Sequence, residues 1–205
     1  MNRRLALQLV TGLTFARVPL VMLFMAGALV QHFHPRDWLA GANLLALILA
    51  SLTDLFDGYL ARRWRVTSEF GALADPLMDK VFYLVVFPTL TWLLACRGEV
   101  ERTHAVLMLV FTVLYLLRDQ WVSFLRAMAA GQADLRANWM GKLRTAISFP
   151  LGCLLYLYLW RGVPSRGSMI IVEGLALGIN LWSIHVYTRR YAPSMRTALG
   201  AHSHR

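Results

Sequence analysis

The sequence predicts an all-α integral membrane protein of six transmembrane helices, preceded by a short amphipathic juxtamembrane segment. Three observations carry this prediction. Of 205 residues, 58% are hydrophobic, only 16% are charged, and the mean hydropathy is +0.51, whereas soluble domains are roughly 45–50% apolar and about 25% charged. The apolar residues gather into stretches of the length a bilayer requires, about 20 residues each. The basic residues gather at alternate ends of those stretches.

In chain order, Asn2–Val10 is short, basic and partly apolar, which suits a segment lying along the membrane surface. The spans then read Leu13–Gln31, Trp38–Leu60, Leu77–Ala95, Ala105–Ala130, Trp139–Trp160 and Ser168–Tyr187. The first is read as a mature helix, because Gln31-His32-Phe33-His34-Pro35 follows it instead of a small-residue cleavage pattern. No repeat, low-complexity tract or long linker interrupts the chain, so residues 1–205 form one membrane domain. Trp38, Trp92, Trp139, Trp160 and Trp182 fall near span ends, as interfacial aromatics do.

An even number of spans puts both termini on one side. That side collects the N-terminus, the Arg62-Arg63-Trp64-Arg65 loop, the loop with Arg136, Lys142 and Arg144, and the tail with Arg189, Arg190, Arg196 and Arg205. The positive-inside rule makes it cytoplasmic, and a bacterial inner membrane is the natural setting. The net charge of +10, from 21 Lys+Arg against 11 Asp+Glu, is then explained by topology and by anionic lipid headgroups. Nucleic acid is not needed. Cys96 and Cys153 lie far apart in apolar runs and read as packed thiols.

Carboxylates on membrane helices are costly and point to function. Asp54, Asp57, Asp75 and Asp79 fall within 26 residues. Asp54 and Asp57 are i,i+3 near the end of the second span, and Asp75 and Asp79 are i,i+4 at the start of the third, so each pair shares a helix face. The segment Arg62–Ala74 between them is short enough for antiparallel neighbours, which lets all four converge. Four negative charges in a low-dielectric site need a cation among them. An all-oxygen donor set favours a hard divalent ion, Mg²⁺ or Mn²⁺, and four carboxylates suffice for two ions in an in-line phosphoryl displacement. The competing reading is a structural network in which Arg62, Arg63 and Arg65 pair with these acids. Gly58, Ala61 and Gly71 argue against it by leaving space where such a network would want bulk.

The string Asp54-Leu-Phe-Asp57-Gly58-Tyr-Leu-Ala61-Arg62, then eight residues, Gly71, three residues, Asp75, three residues and Asp79 resembles the signature of the CDP-alcohol phosphotransferase family in every fixed position. That family also has six spans. The resemblance implies that an alcohol hydroxyl attacks the β-phosphorus of a CDP-linked lipid and releases CMP. It implies Asp54, Asp57, Asp75 and Asp79 as metal ligands, with Asp79 also taking the hydroxyl proton. Thr14, Asp57, Gly58, Ala61, Arg62 and Gly71 would hold the CDP group. Glycine and alanine admit the nucleotide close to the helix, and a guanidinium suits a pyrophosphate.

Three further stretches resemble the branch of the family that uses glycerol 3-phosphate: Thr11-Gly-Leu-Thr14-Phe-Ala-Arg17, Asp75-Pro76-Leu-Met-Asp79-Lys80, and Arg118-Asp119 with Arg126 and Trp139-Met-Gly141-Lys142-Leu-Arg144-Thr145. A phosphorylated acceptor would call for the basic group Arg118, Arg126, Lys142 and Arg144. One departure is Asp119, where that branch usually has Glu. The donor expected is CDP-diacylglycerol. Phosphatidylglycerol, inositol phosphate, serine or another alcohol are the alternative acceptors.

Readings from other classes are a membrane prenyltransferase, which would need a second acidic motif, and a non-catalytic divalent-cation carrier, which leaves Gly58, Ala61, Arg62 and Gly71 unexplained. Gly174-Leu-Ala-Leu-Gly178 is a GxxxG match that can mark close packing or a homodimer face. Glu173, inside the sixth span, has no role readable from the sequence.

Overall fold

A computed structural model describes the backbone over residues 3–64, 66, 69–128 and 139–200. Within these ranges it leaves aside the side chains of residues 3, 69–76, 79, 139–145, 194 and 196–200. Six long helices form: α1 (Arg3–Phe33), α2 (Asp37–Trp64), α3 (Glu69–Ala95), α4 (Arg102–Met128), α5 (Trp139–Arg161) and α6 (Arg166–Gly200), with a 3₁₀ turn at Gly98–Glu101 before α4. The described residues contain no strand. By length and composition, segments Arg4–Phe33, Asp37–Trp64, Gly98–Met128 and Arg166–Pro193 can cross a membrane, which makes this an integral membrane protein. In α3 and α5 the described apolar stretches are shorter, Lys80–Ala95 and Ala146–Arg161.

Two helix bounds correct the sequence reading. The N-terminal segment is not a separate surface element, because α1 runs unbroken from Arg3. Between Arg3 and Leu13 good helix formers dominate; Val10, Thr11 and Gly12 are the weak ones, and even glycine, the weakest, costs about 1 kcal/mol, too little to break the helix. At about 1.5 Å per residue α1 is about 46 Å long, well beyond the ~30 Å hydrocarbon layer. The last helix likewise continues past Tyr187 to Gly200.

Helix ends follow local chemistry. Gly162, at φ +71°, closes α5 and donates its N–H to the carbonyl of Tyr158 at 2.8 Å, an arrangement a Cβ would strain. Asp37 stands in the first turn of α2, where the helix dipole favours an anion.

Inside a bilayer, apolar burial does not drive helices together, so close packing and polar links must. α1 packs most extensively on α2 and also lies against α3, while α4 packs on α3 and α6. Gly27 makes the α1–α2 approach possible, since a Cβ there would fall 2.1 Å from Asn43 Oδ1. Asn43 in turn donates to the hydroxyl of Tyr156 on α5 at 3.0 Å. The centre is aromatic: Phe82 and Phe149 meet at 4.5 Å between centroids, Tyr83 and Tyr115 at 4.9 Å, and Phe87 and Tyr115 at 5.2 Å. Two of these pairs are edge-on, and such a pair is worth about 0.5–1.5 kcal/mol.

Glu173 acquires a structural explanation. At the end of the bundle where α4 begins, fully buried His104 meets Glu101 through Nδ1 at 3.0 Å and Glu173 through Nε2 at 2.9 Å. Tyr158 of α5 donates its hydroxyl to Glu101, and Arg166 Nε lies 3.6 Å from it. The 3₁₀ turn, α4, α5 and α6 are thus joined through one polar knot. Gly174 and Gly178 are exposed, and among the described residues a Cβ on either would meet nothing within 4 Å.

Candidate active site

The opposite end of the bundle holds the acidic helices. Arg17 of α1 is fully buried, and its Nη2 reaches Asp54 Oδ1 at 2.7 Å and Asp57 Oδ2 at 3.3 Å. One turn earlier on the same face, Thr14 donates its hydroxyl to Asp57 Oδ2 at 3.0 Å and also reaches the carbonyl of Val10 at 3.2 Å. The i,i+3 spacing of Thr14 and Arg17 on α1 meets the i,i+3 spacing of Asp54 and Asp57 on α2. A guanidinium with its fork of donors is suited to hold two carboxylates in fixed orientation. The carboxylates keep some exposure, 18% for the Asp54 side chain and 12% for Asp57.

Part of the cation that these acids require is therefore supplied by Arg17. Arg62 is exposed and folds back along α2, with its Nη1 3.3 Å from the point a Cβ on Gly58 would occupy. Arg63 donates to the hydroxyl of Tyr59 at 2.9 Å. Ala61, just before Arg62 in the chain, is half-buried. Arg17 is the residue whose role the sequence reading missed. Its signal was available: an arginine within a long apolar helix demands an anionic partner.

Asp75 and Asp79 lie on α3, and their side chains, like the positions of Gly71, Lys142 and Arg144, fall outside the described side chains. Next in sequence to Asp79, Lys80 donates to Ser123 of α4 at 3.0 Å. This contact sets the acidic start of α3 beside the stretch of α4 that carries Arg118 and Arg126, five residues before Ser123 and three after it. Arg118 is 4% exposed. Its Nη1 bonds Asp119 at 3.0 Å, Nε bonds Ser183 of α6 at 3.0 Å, and its guanidinium lies 5.0 Å from the Tyr187 ring centroid. Arg126 is exposed and donates to the Tyr187 hydroxyl at 3.2 Å. The structure thus brings Thr14, Asp54 and Asp57 together, and Arg118 with Arg126, each group around a residue that the sequence reading had not chosen.

The fold and this pole define a helical membrane protein with a carboxylate-bearing site built where α1 meets α2. The chain belongs to the CDP-alcohol phosphatidyltransferase family, whose model matches residues 7–182. Members of that family are transferases that use divalent metal ions. Among curated proteins it is similar to the CDP-diacylglycerol–glycerol-3-phosphate 3-phosphatidyltransferase of Pectobacterium atrosepticum, 29% identical over 187 residues covering 86% of this chain and 91% of that protein. The proteins of the same name from Salmonella typhimurium and Yersinia pestis are 29% and 28% identical over 181 and 187 residues. They cover 86% and 88% of this chain, and 91% and 93% of their own lengths.

Proposed function

We propose that this protein transfers the phosphatidyl group of CDP-diacylglycerol to glycerol 3-phosphate, giving phosphatidylglycerophosphate and CMP. The observation that carries the reading is the pair Asp54 and Asp57, held in one orientation by Arg17 and Thr14 on the family's signature helix. The relatives named above for that reaction cover most of the chain.

The donor set fits a divalent metal. It is all oxygen, carries net negative charge, keeps partial exposure, and its orientation is fixed from behind by a second layer of donors, as metal-ligating carboxylates require. Asp54, Asp57, Asp75 and Asp79 are the residues that would hold two Mg²⁺ or Mn²⁺ ions. Bound there, such ions offset phosphate charge and lower the pKa of an acceptor hydroxyl. Asp79 accepts the proton of that hydroxyl. The hydroxyl oxygen forms a bond to the β-phosphorus, the bond from that phosphorus to the CMP oxygen breaks, and the electron pair leaves with CMP. Thr14, Gly58, Ala61, Arg62 and Gly71 receive the CDP group. Arg118, Arg126, Lys142 and Arg144 gather the phosphate of the acceptor. All six helices span a bacterial inner membrane, with this pole and both termini cytoplasmic. The outward-facing Gly174 and Gly178 are the surface a homodimer would use.

The test is CMP release by purified protein from CDP-diacylglycerol across a panel of acceptors, with Asp79→Asn beside it. Turnover with glycerol 3-phosphate, lost in Asp79→Asn, is the expected result. Turnover only with another alcohol overturns the acceptor. No CMP from folded protein with any acceptor overturns the reaction.

A further inference from the structure

Residues 149–205 lie outside the stretches that carry the family resemblance, yet α6 carries the residue on which both arginines of α4 converge. The Tyr187 ring is 1% exposed and lies on α6 opposite Val122 and Leu125. Arg118 stands 5.0 Å from its centroid and Arg126 5.5 Å. The Tyr187 hydroxyl accepts a hydrogen bond from Arg126. Two guanidiniums share one ring, and cation–π attraction of about 1–2 kcal/mol at a partly desolvated site opposes their mutual repulsion. Arg118 has Asp119 as its counter-ion. Among the described residues, Arg126 makes no ion pair, and its partners are the ring and the hydroxyl of Tyr187. Ser183, one turn before Tyr187 on α6, fixes Arg118 from the other side. An arginine held in place, exposed and with no carboxylate partner among the described residues is arranged for an anion that arrives from outside. The Lys80–Ser123 bond puts it beside the acidic helix.

We infer that Tyr187 is the positioning residue of the acceptor site: it presents the Arg118 and Arg126 guanidiniums together to the phosphate of a phosphorylated alcohol. This rests on the reading of glycerol 3-phosphate as acceptor. Tyr187 touches neither substrate nor reacting atoms and acts through the arginines, so its effect belongs in acceptor binding and not in the chemical step.

Steady-state CMP release by the full-length protein in detergent tests this, with glycerol 3-phosphate and CDP-diacylglycerol titrated separately for wild type, Tyr187→Phe and Tyr187→Leu. Tyr187→Phe keeps the ring and removes the acceptor of the Arg126 bond, so KM for glycerol 3-phosphate should rise about threefold. Tyr187→Leu removes the ring as well, and the rise should be roughly tenfold. In both, kcat and the KM for CDP-diacylglycerol should stay within about twofold, the pattern of lost ground-state binding. If Tyr187→Leu does not fold, Tyr187→Phe decides. An unchanged acceptor KM, or a fall in kcat with both KM values moving together, overturns the inference and makes Tyr187 a packing residue. Wild type that turns over an uncharged alcohol and not glycerol 3-phosphate overturns the functional reading as well, and that failure is seen before any variant is made.

Discussion

The two ends of the bundle both bury carboxylates, and they treat them differently. Around His104, the Glu101 and Glu173 side chains are 7% and 6% exposed, both imidazole nitrogens are engaged, and Tyr158 and Arg166 add further contacts. Around Arg17, the Asp54 and Asp57 side chains keep two to three times that exposure. Arg17 and Thr14 of α1 hold them. The first arrangement is closed on itself and fastens four elements. The second fixes its carboxylates while leaving them accessible to a ligand. Residue type alone does not separate a structural acid from a working one; how far its surroundings shut it off from solvent does.

The comparison breaks most readily at the open end. Asp57→Asn preserves an oxygen acceptor for Arg17 and Thr14 but removes a charge, so CMP release should fall on the order of 10³-fold while the Tm in detergent barely moves. A large loss of Tm there would place Asp57 with the structural acids.

At the closed end the pattern should invert. His104→Leu leaves Glu101 and Glu173 buried without their shared partner, which should destabilise the protein by about 3–5 kcal/mol, read as a lowered Tm. Activity per folded molecule should be unchanged, and a selective loss of kcat would tie this end to the reaction.

The smallest effect sharpens the comparison. Gly58→Ala meets only the flexible end of Arg62 and gains up to about 1 kcal/mol of helix propensity, so stability should hold or rise. KM for CDP-diacylglycerol should increase by about tenfold if nucleotide approaches there; an unchanged KM removes Gly58 from the donor site.

The sequence carries the six helical elements because apolar runs of bilayer length are a strong signal, and it carries the acidic motif because each spacing maps onto a helix face. It does not carry the partner of that motif. Arg17 lies 37 and 40 residues from the aspartates it holds, and no local period records which helix faces which. The pairing of Glu173 with His104 spans 69 residues and that of Arg118 with Ser183 spans 65, so both were invisible for the same reason. The N-terminal segment was misread because basic, partly apolar residues suit a surface helix and the extension of a spanning helix equally well.

The grip of Arg17 on α2 also bears on how the chain enters its membrane. As α1 emerges from the ribosome, it presents an arginine to the lipid phase before either aspartate has been made. Insertion measurements put an arginine near a helix centre at about 2.5–3.5 kcal/mol unfavourable. That cost is relieved once synthesis has reached Asp57 and the ion pairs can close. The α1–α2 hairpin, and not α1 alone, is therefore the first portion of nascent chain in which this charge is neutralised, and half of the carboxylate quartet is already in register when the rest of the bundle arrives.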